Sequence, residues 1–89
     1  MKCQPITIIN KLGLHARASA KFVSLATEFK SDILIKRDSQ QVNGKSIMGI
    51  MMLAAPKGTA LELCADGPDA AKALKALADL VNDYFGEGE

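Results

Sequence analysis

The spacing of hydrophobic positions changes period several times along the chain, and each change marks an element. Residues 4–9 (Gln-Pro-Ile-Thr-Ile-Ile) are rich in β-branched side chains and carry Pro5 near their start, where a strand tolerates proline, so they predict a first strand. After the loop Asn10-Lys11-Leu12-Gly13-Leu14, apolar Phe22, Leu25, Ala26 and Phe29 recur at i, i+3, i+4 and i+7. This is the period of an amphipathic helix, placed over about residues 16–28. Ile33-Leu34-Ile35, flanked by Lys36 and Arg37, predicts a second strand, turned at Asp38-Ser39 into a short third strand around Gln41-Val42. Asn43-Gly44 is a turn signal, and Ser46 stands at the N-cap of a short helix that begins at Ile47 and is ended by Pro56-Lys57-Gly58. Leu61 and Leu63 alternate with Glu62 and Cys64, as in a strand with one face on a core. Asp66-Gly67-Pro68-Asp69 then supplies a turn and a cap for a last helix, striped by Leu74, Leu77, Ala78, Val81 and Phe85 and closed at Gly86. The order βαββαβα, with three helices over one face of an antiparallel sheet, is an open-faced α+β sandwich. The terminal Glu87-Gly88-Glu89 is expected to fray.

Length and composition narrow this picture. With 89 residues, 48% of them hydrophobic, the chain predicts one domain, residues 1–89, with a single core and no large enclosed cavity. No apolar run approaches the roughly 18 residues of a membrane span, and the N-terminus has no secretory pattern, so a cytoplasmic protein without membrane insertion is expected. Cys3 and Cys64 form neither a CxxC pair nor a Cys/His cluster, which argues against a disulfide framework, a redox dithiol and a zinc site. In a reducing compartment two free thiols are expected.

The net charge of +1 conceals a polarity: residues 1–57 carry nine Lys/Arg against three Asp/Glu, and residues 58–89 carry two against seven. A basic half suits acidic protein surfaces or phosphate groups. Nucleic acid fits less well, because Phe22, Phe29, Tyr84 and Phe85 all read as helical core and leave no stacking platform.

The single histidine, His15, falls where the loop ends and the first helix begins. A helix start offers unpaired N–H groups, here those of Ala16, Arg17 and Ala18, together with the positive end of the macrodipole, and so favours an anion. A phosphoryl group on the imidazole would lie there, and the Arg17 guanidinium would reach it with charge-assisted hydrogen bonds. The dipole also disfavours an imidazolium, so a neutral, nucleophilic ring is expected near pH 7. Ser19 and Lys21 are secondary candidates, expected to face solvent. No metal constellation, no nucleophile with its own base and no phosphate-cradling glycine loop is present, which disfavours an autonomous enzyme and implies no cofactor.

Asn10-Lys11-Leu12-Gly13-Leu14-His15-Ala16-Arg17, Val42-Asn43-Gly44-Lys45-Ser46-Ile47-Met48-Gly49 and Ala54-Ala55-Pro56-Lys57-Gly58 closely resemble the HPr family, the histidine-containing phosphocarriers of the bacterial phosphoenolpyruvate:sugar phosphotransferase system. The likeness spans nearly the whole chain. It implies sheet order 1-4-2-3 and a stoichiometric carrier. His15 would accept a phosphoryl group on Nδ1 from enzyme I and pass it to an enzyme II A component, with no metal at the site. Strands one and four would then be neighbours, which could bring Cys3 near Cys64. One departure is Ala18, where the family usually has proline, so the first turn keeps one more backbone donor.

The resemblance gives Ser46 a second role beyond capping, as the target of the HPr kinase/phosphorylase found in many bacteria. Such a phosphate would leave the fold intact and weaken exchange with acidic partners. The second helix is apolar almost all round yet too short to bury every side, so Ile47, Met48 and Met51 are expected to form a partner surface, with Arg17, Lys21 and Lys45 as a basic rim. The protein is expected to act as a monomer. Two alternatives stay open: a regulatory paralogue in a nitrogen-related or incomplete phosphorelay, and an interaction module in which His15 is inert.

Overall fold

The computed structural model describes residues 1–89. Four strands, β1 (Lys2–Thr7), β2 (Asp32–Arg37), β3 (Gln40–Asn43) and β4 (Ala60–Asp66), form one antiparallel sheet in the order β1-β4-β2-β3. Helices α1 (Ala16–Ala26), α2 (Ile47–Met52) and α3 (Ala70–Asn82) cover one face, and a 3₁₀ turn, Tyr84–Gly86, ends the chain's regular structure. The open-faced sandwich expected from the periodicities is the observed fold.

Period-two alternation sets which side chains enter the core. Ile6, Ile33, Ile35, Leu61 and Leu63 project from the sheet toward the helices, where Phe22 of α1, Ile50 of α2 and Leu77 and Val81 of α3 meet them, all buried. Burying one such side chain contributes about 1.5–3 kcal/mol, so this layer is the main stabilising term. The Ser46 cap forms as expected: its Oγ accepts the Gly49 N–H at 3.1 Å. At the start of α3, Asp69 does not cap its own helix; its carboxylate accepts from Lys30 N, Ser31 N and Ser31 Oγ instead, tying α3 to the start of β2.

Three further expectations fail in the fold. Cys3 and Cys64 are not two free thiols; they are directly opposed in the β1/β4 register, 4.0 Å apart at Cα, and joined as a disulfide. A crosslink between residues 61 apart in sequence stabilises by about 4 kcal/mol through loop closure in the unfolded chain. It lies on the sheet face away from the helices, which explains why Cys64 is fully buried at a position that alternation assigns to water. Tyr84 is exposed rather than core, because the backbone turns left-handed at Tyr84 and Phe85 and sends only Phe85 inward. The tail does not fray: Lys11 N donates to Glu89 O at 3.1 Å, and the half-buried Glu87 docks on the loop before α1.

Candidate functional site

The loop that carries His15 is shaped by one glycine. Gly13 has φ +69°, and a Cβ placed there would lie 2.6 Å from the Ala55 carbonyl oxygen, so only glycine allows this loop to pack on the segment after α2. Leu14 N donates to the same oxygen at 2.9 Å. His15 follows as the N-cap of α1 in extended conformation, and its side chain makes no cap hydrogen bond. The first N–H turned inward is that of Ser19, given to the His15 carbonyl at 2.9 Å, so those of Ala16, Arg17 and Ala18 have no intrahelical acceptor.

The imidazole is oriented by a residue 72 positions away. Its Nε2 lies 2.5 Å from Glu87 Oε2, while Glu87 Oε1 accepts from Asn10 Nδ2 at 3.0 Å and Asn10 Nδ2 also reaches Gly13 O at 2.9 Å. Burial pushes the Glu87 carboxyl up, but hydrogen bonds from Asn10 and His15 and the charges of His15 and Lys21 outweigh it and hold the group below its ordinary value. An ionised carboxylate only accepts, so Nε2 must donate, and a ring that carries that one proton has its lone pair on Nδ1. No protein group pairs with Nδ1.

Around the ring is an open cleft of about 650 Å³ lined by Lys11, Leu12, Arg17, Lys21, Glu87 and Glu89 among others. Arg17 is exposed and makes no hydrogen bond or ion pair, leaving its guanidinium available to an anion. Lys21 is exposed too, its Nζ donating to Phe85 O at 2.8 Å, which ties α1 to the turn that delivers Glu87. Ser19 does not face solvent: it is fully buried, with Oγ 3.4 Å from Leu14 O.

Ser46 lies away from this cleft. Lys45 Nζ donates to Phe29 O at 2.7 Å, just past the C-terminal end of α1, so Lys45 and Ser46 sit at the end of α1 opposite His15. The C-terminal side of α2 is the part near the ring, since Ala54, Ala55 and Pro56 share a surface hollow with Leu12 and His15. Ile47, Met48, Met51 and Met52 are exposed, Met48 by 76%, and Leu12 beside the ring by 67%. Sequence reasoning missed Asn10, Leu12 and Glu87 as parts of this site. Only Leu12, an apolar residue in a polar loop, left a local signal.

The fold thus presents one histidine at an uncapped helix start, beside an exposed arginine with no partner, in an open surface cleft rather than an enclosed pocket. The family model described as "PTS HPr component phosphorylation site" matches residues 2–83. The chain is 63% identical over 86 residues to the phosphocarrier protein HPr of Neisseria meningitidis serogroup A, covering 97% of each chain. Among solved structures it is similar to HPr-C-His from Thermoanaerobacter tengcongensis, with a TM-score of 0.94 and 49% identity over 98% of each chain. It is also similar to an HPr dimer from that organism, with a TM-score of 0.79, 49% identity, and 98% and 100% of the two chains covered. The chain belongs to the HPr family, the phosphocarriers of the phosphotransferase system.

Proposed function

We propose that this protein relays a phosphoryl group between two protein histidines, taking it from phosphorylated enzyme I onto His15 and giving it to an enzyme II A component. The supporting observation is the Glu87 carboxylate on Nε2, which leaves Nδ1 as the nucleophile beside three free amides. In the first transfer the Nδ1 lone pair attacks phosphorus and the donor's P–N bond breaks. The Nε2 proton stays on the ring, held by Glu87. The amides of Ala16, Arg17 and Ala18 and the Arg17 guanidinium then face the phosphoryl oxygens. In the second transfer an acceptor nitrogen attacks and the Nδ1–P bond breaks. A shallow site is suited to this, because the group must be reachable from both sides and held only moderately.

The exposed Ile47, Met48 and Met51, with Arg17 and Lys21 toward the ring and Lys45 at the other end of α1, are the surface on which both partners dock, as a monomer in the cytoplasm. Ser46 is a regulatory site. Its Oγ already caps α2, so a phosphate there meets the positive end of a helix and leaves the fold intact while repelling acidic partners.

The test is incubation with enzyme I and phosphoenolpyruvate, followed by addition of an enzyme II A domain. One acid-labile phosphate per chain, lost to the A domain and absent from His15→Asn, is the expected result. Label that survives in His15→Asn contradicts the proposal.

A further inference from the structure

The sheet face turned away from His15 carries chemistry that the phosphoryl relay does not use. Cys3 on the edge strand β1 is exposed, and its partner Cys64 on the central strand β4 is fully buried beneath it. Glu62 lies on the same face of β4, with Oε1 3.7 Å from Cys64 Sγ and 3.8 Å from Lys36 Nζ. The three donor atoms of Cys3, Cys64 and Glu62 all lie within 4.8 Å of one another.

We propose that Cys3 and Cys64 are a reversible dithiol/disulfide site that exchanges with a low-molecular-weight thiol of the glutathione class, and that Cys3 is the sulfur that meets the small thiol. Access decides which sulfur is attacked, and only the outer one can be reached. On reduction a thiolate attacks Cys3 Sγ, the Cys3–Cys64 bond breaks, and Cys64 leaves and takes up a proton. A second thiolate then attacks the small thiol's sulfur in the adduct. Cys3 leaves and the small disulfide departs with the two electrons balanced. Cys64 is fully buried and its thiol can donate to Glu62 Oε1, whereas Cys3 is exposed, so Cys3 is also the nucleophile on reoxidation. In that direction Cys3 first displaces one thiol from the small disulfide, and Cys64 then attacks Cys3 Sγ, closing the internal bond and releasing the second thiol. The register sets Cys3 directly opposite Cys64 on neighbouring strands, so the two sulfurs face each other whenever the sheet is formed.

The test is a timed incubation of the full, pre-reduced chain with reduced and oxidised glutathione, read by intact mass. Wild type is expected to lose two hydrogens and end as the internal disulfide. Cys64→Ser is expected to retain one glutathione per chain, and Cys3→Ser to gain an adduct about tenfold more slowly. Equal rates for the two variants, or a wild-type chain that stays a dithiol or stops at the adduct, overturn the proposal. Folding of each variant is read by circular dichroism. If a serine variant does not fold, alkylation of the reduced wild-type chain gives the same comparison: Cys3 is expected to react about tenfold faster than Cys64, and equal reaction overturns the proposal.

Discussion

The starts of α1 and α2 face the same physical problem and solve it differently. Each helix leaves its first N–H groups without intrahelical acceptors. At α2 the Ser46 hydroxyl accepts one of them, from Gly49. At α1 the residue in the cap position is His15, whose ring turns away to Glu87 and accepts nothing from the backbone. The capped end stabilises the fold. The uncapped end gives up that stabilisation and leaves its donors without an acceptor, with Arg17 unpaired beside them.

The largest effect that separates the two ends is expected from Arg17→Ala. Removing a charge-assisted contact to the phosphoryl group should slow phosphorylation of His15 by about 10- to 100-fold while leaving the melting temperature unchanged, measured by timed transfer from enzyme I. Glu87→Gln comes next, with transfer slowed about tenfold because the ring loses the charge that fixes its Nε2–H tautomer. It also carries a pH signature. The Glu87 carboxyl titrates below its ordinary 4.5 in the folded chain, so its contribution to stability is present above that value and lost as pH falls through the lower one. Wild type should therefore be more stable than Glu87→Gln at neutral pH, and the gap should close in acid, as followed by denaturant titration. Ser46→Ala should cost about 1 kcal/mol of stability and leave phosphorylation of His15 unchanged, the reverse of the Arg17 result. A loss of transfer in Ser46→Ala would show that the two ends are not separable. The smallest effect is Ala18→Pro, which deletes one amide at the uncapped end and should shorten the lifetime of the phosphorylated chain about threefold, followed by release of phosphate.

The same contrast shows what a sequence can carry. Ser46 was legible because a cap and its helix are local, three residues from oxygen to amide. Phe22, Ile33, Ile35, Leu61 and Leu63 were legible because burial repeats with the period of the element. The place of His15 at the start of α1 was legible for the same local reason. Its orientation was not, because Asn10 and Glu87 meet across 77 residues, and the left-handed turn at Tyr84 and Phe85 that brings the tail back has no periodic signature. The pairing of Cys3 with Cys64 likewise depends on which strands are neighbours and in what register, and composition argued for two thiols. Ser19 read as solvent-facing because polarity was the only guide, whereas the Leu14 carbonyl gives its hydroxyl a buried partner.

The central claim is that a phosphoryl group on His15 Nδ1 is held by the uncapped end of α1. Amide correlation spectra of the chain before and after phosphorylation by enzyme I test it most directly. The resonances of Ala16, Arg17 and Ala18 are expected to move most, with those of Ile47, Met48 and Gly49 unmoved. Phosphate found on Nε2, or larger shifts at α2 than at α1, would contradict it.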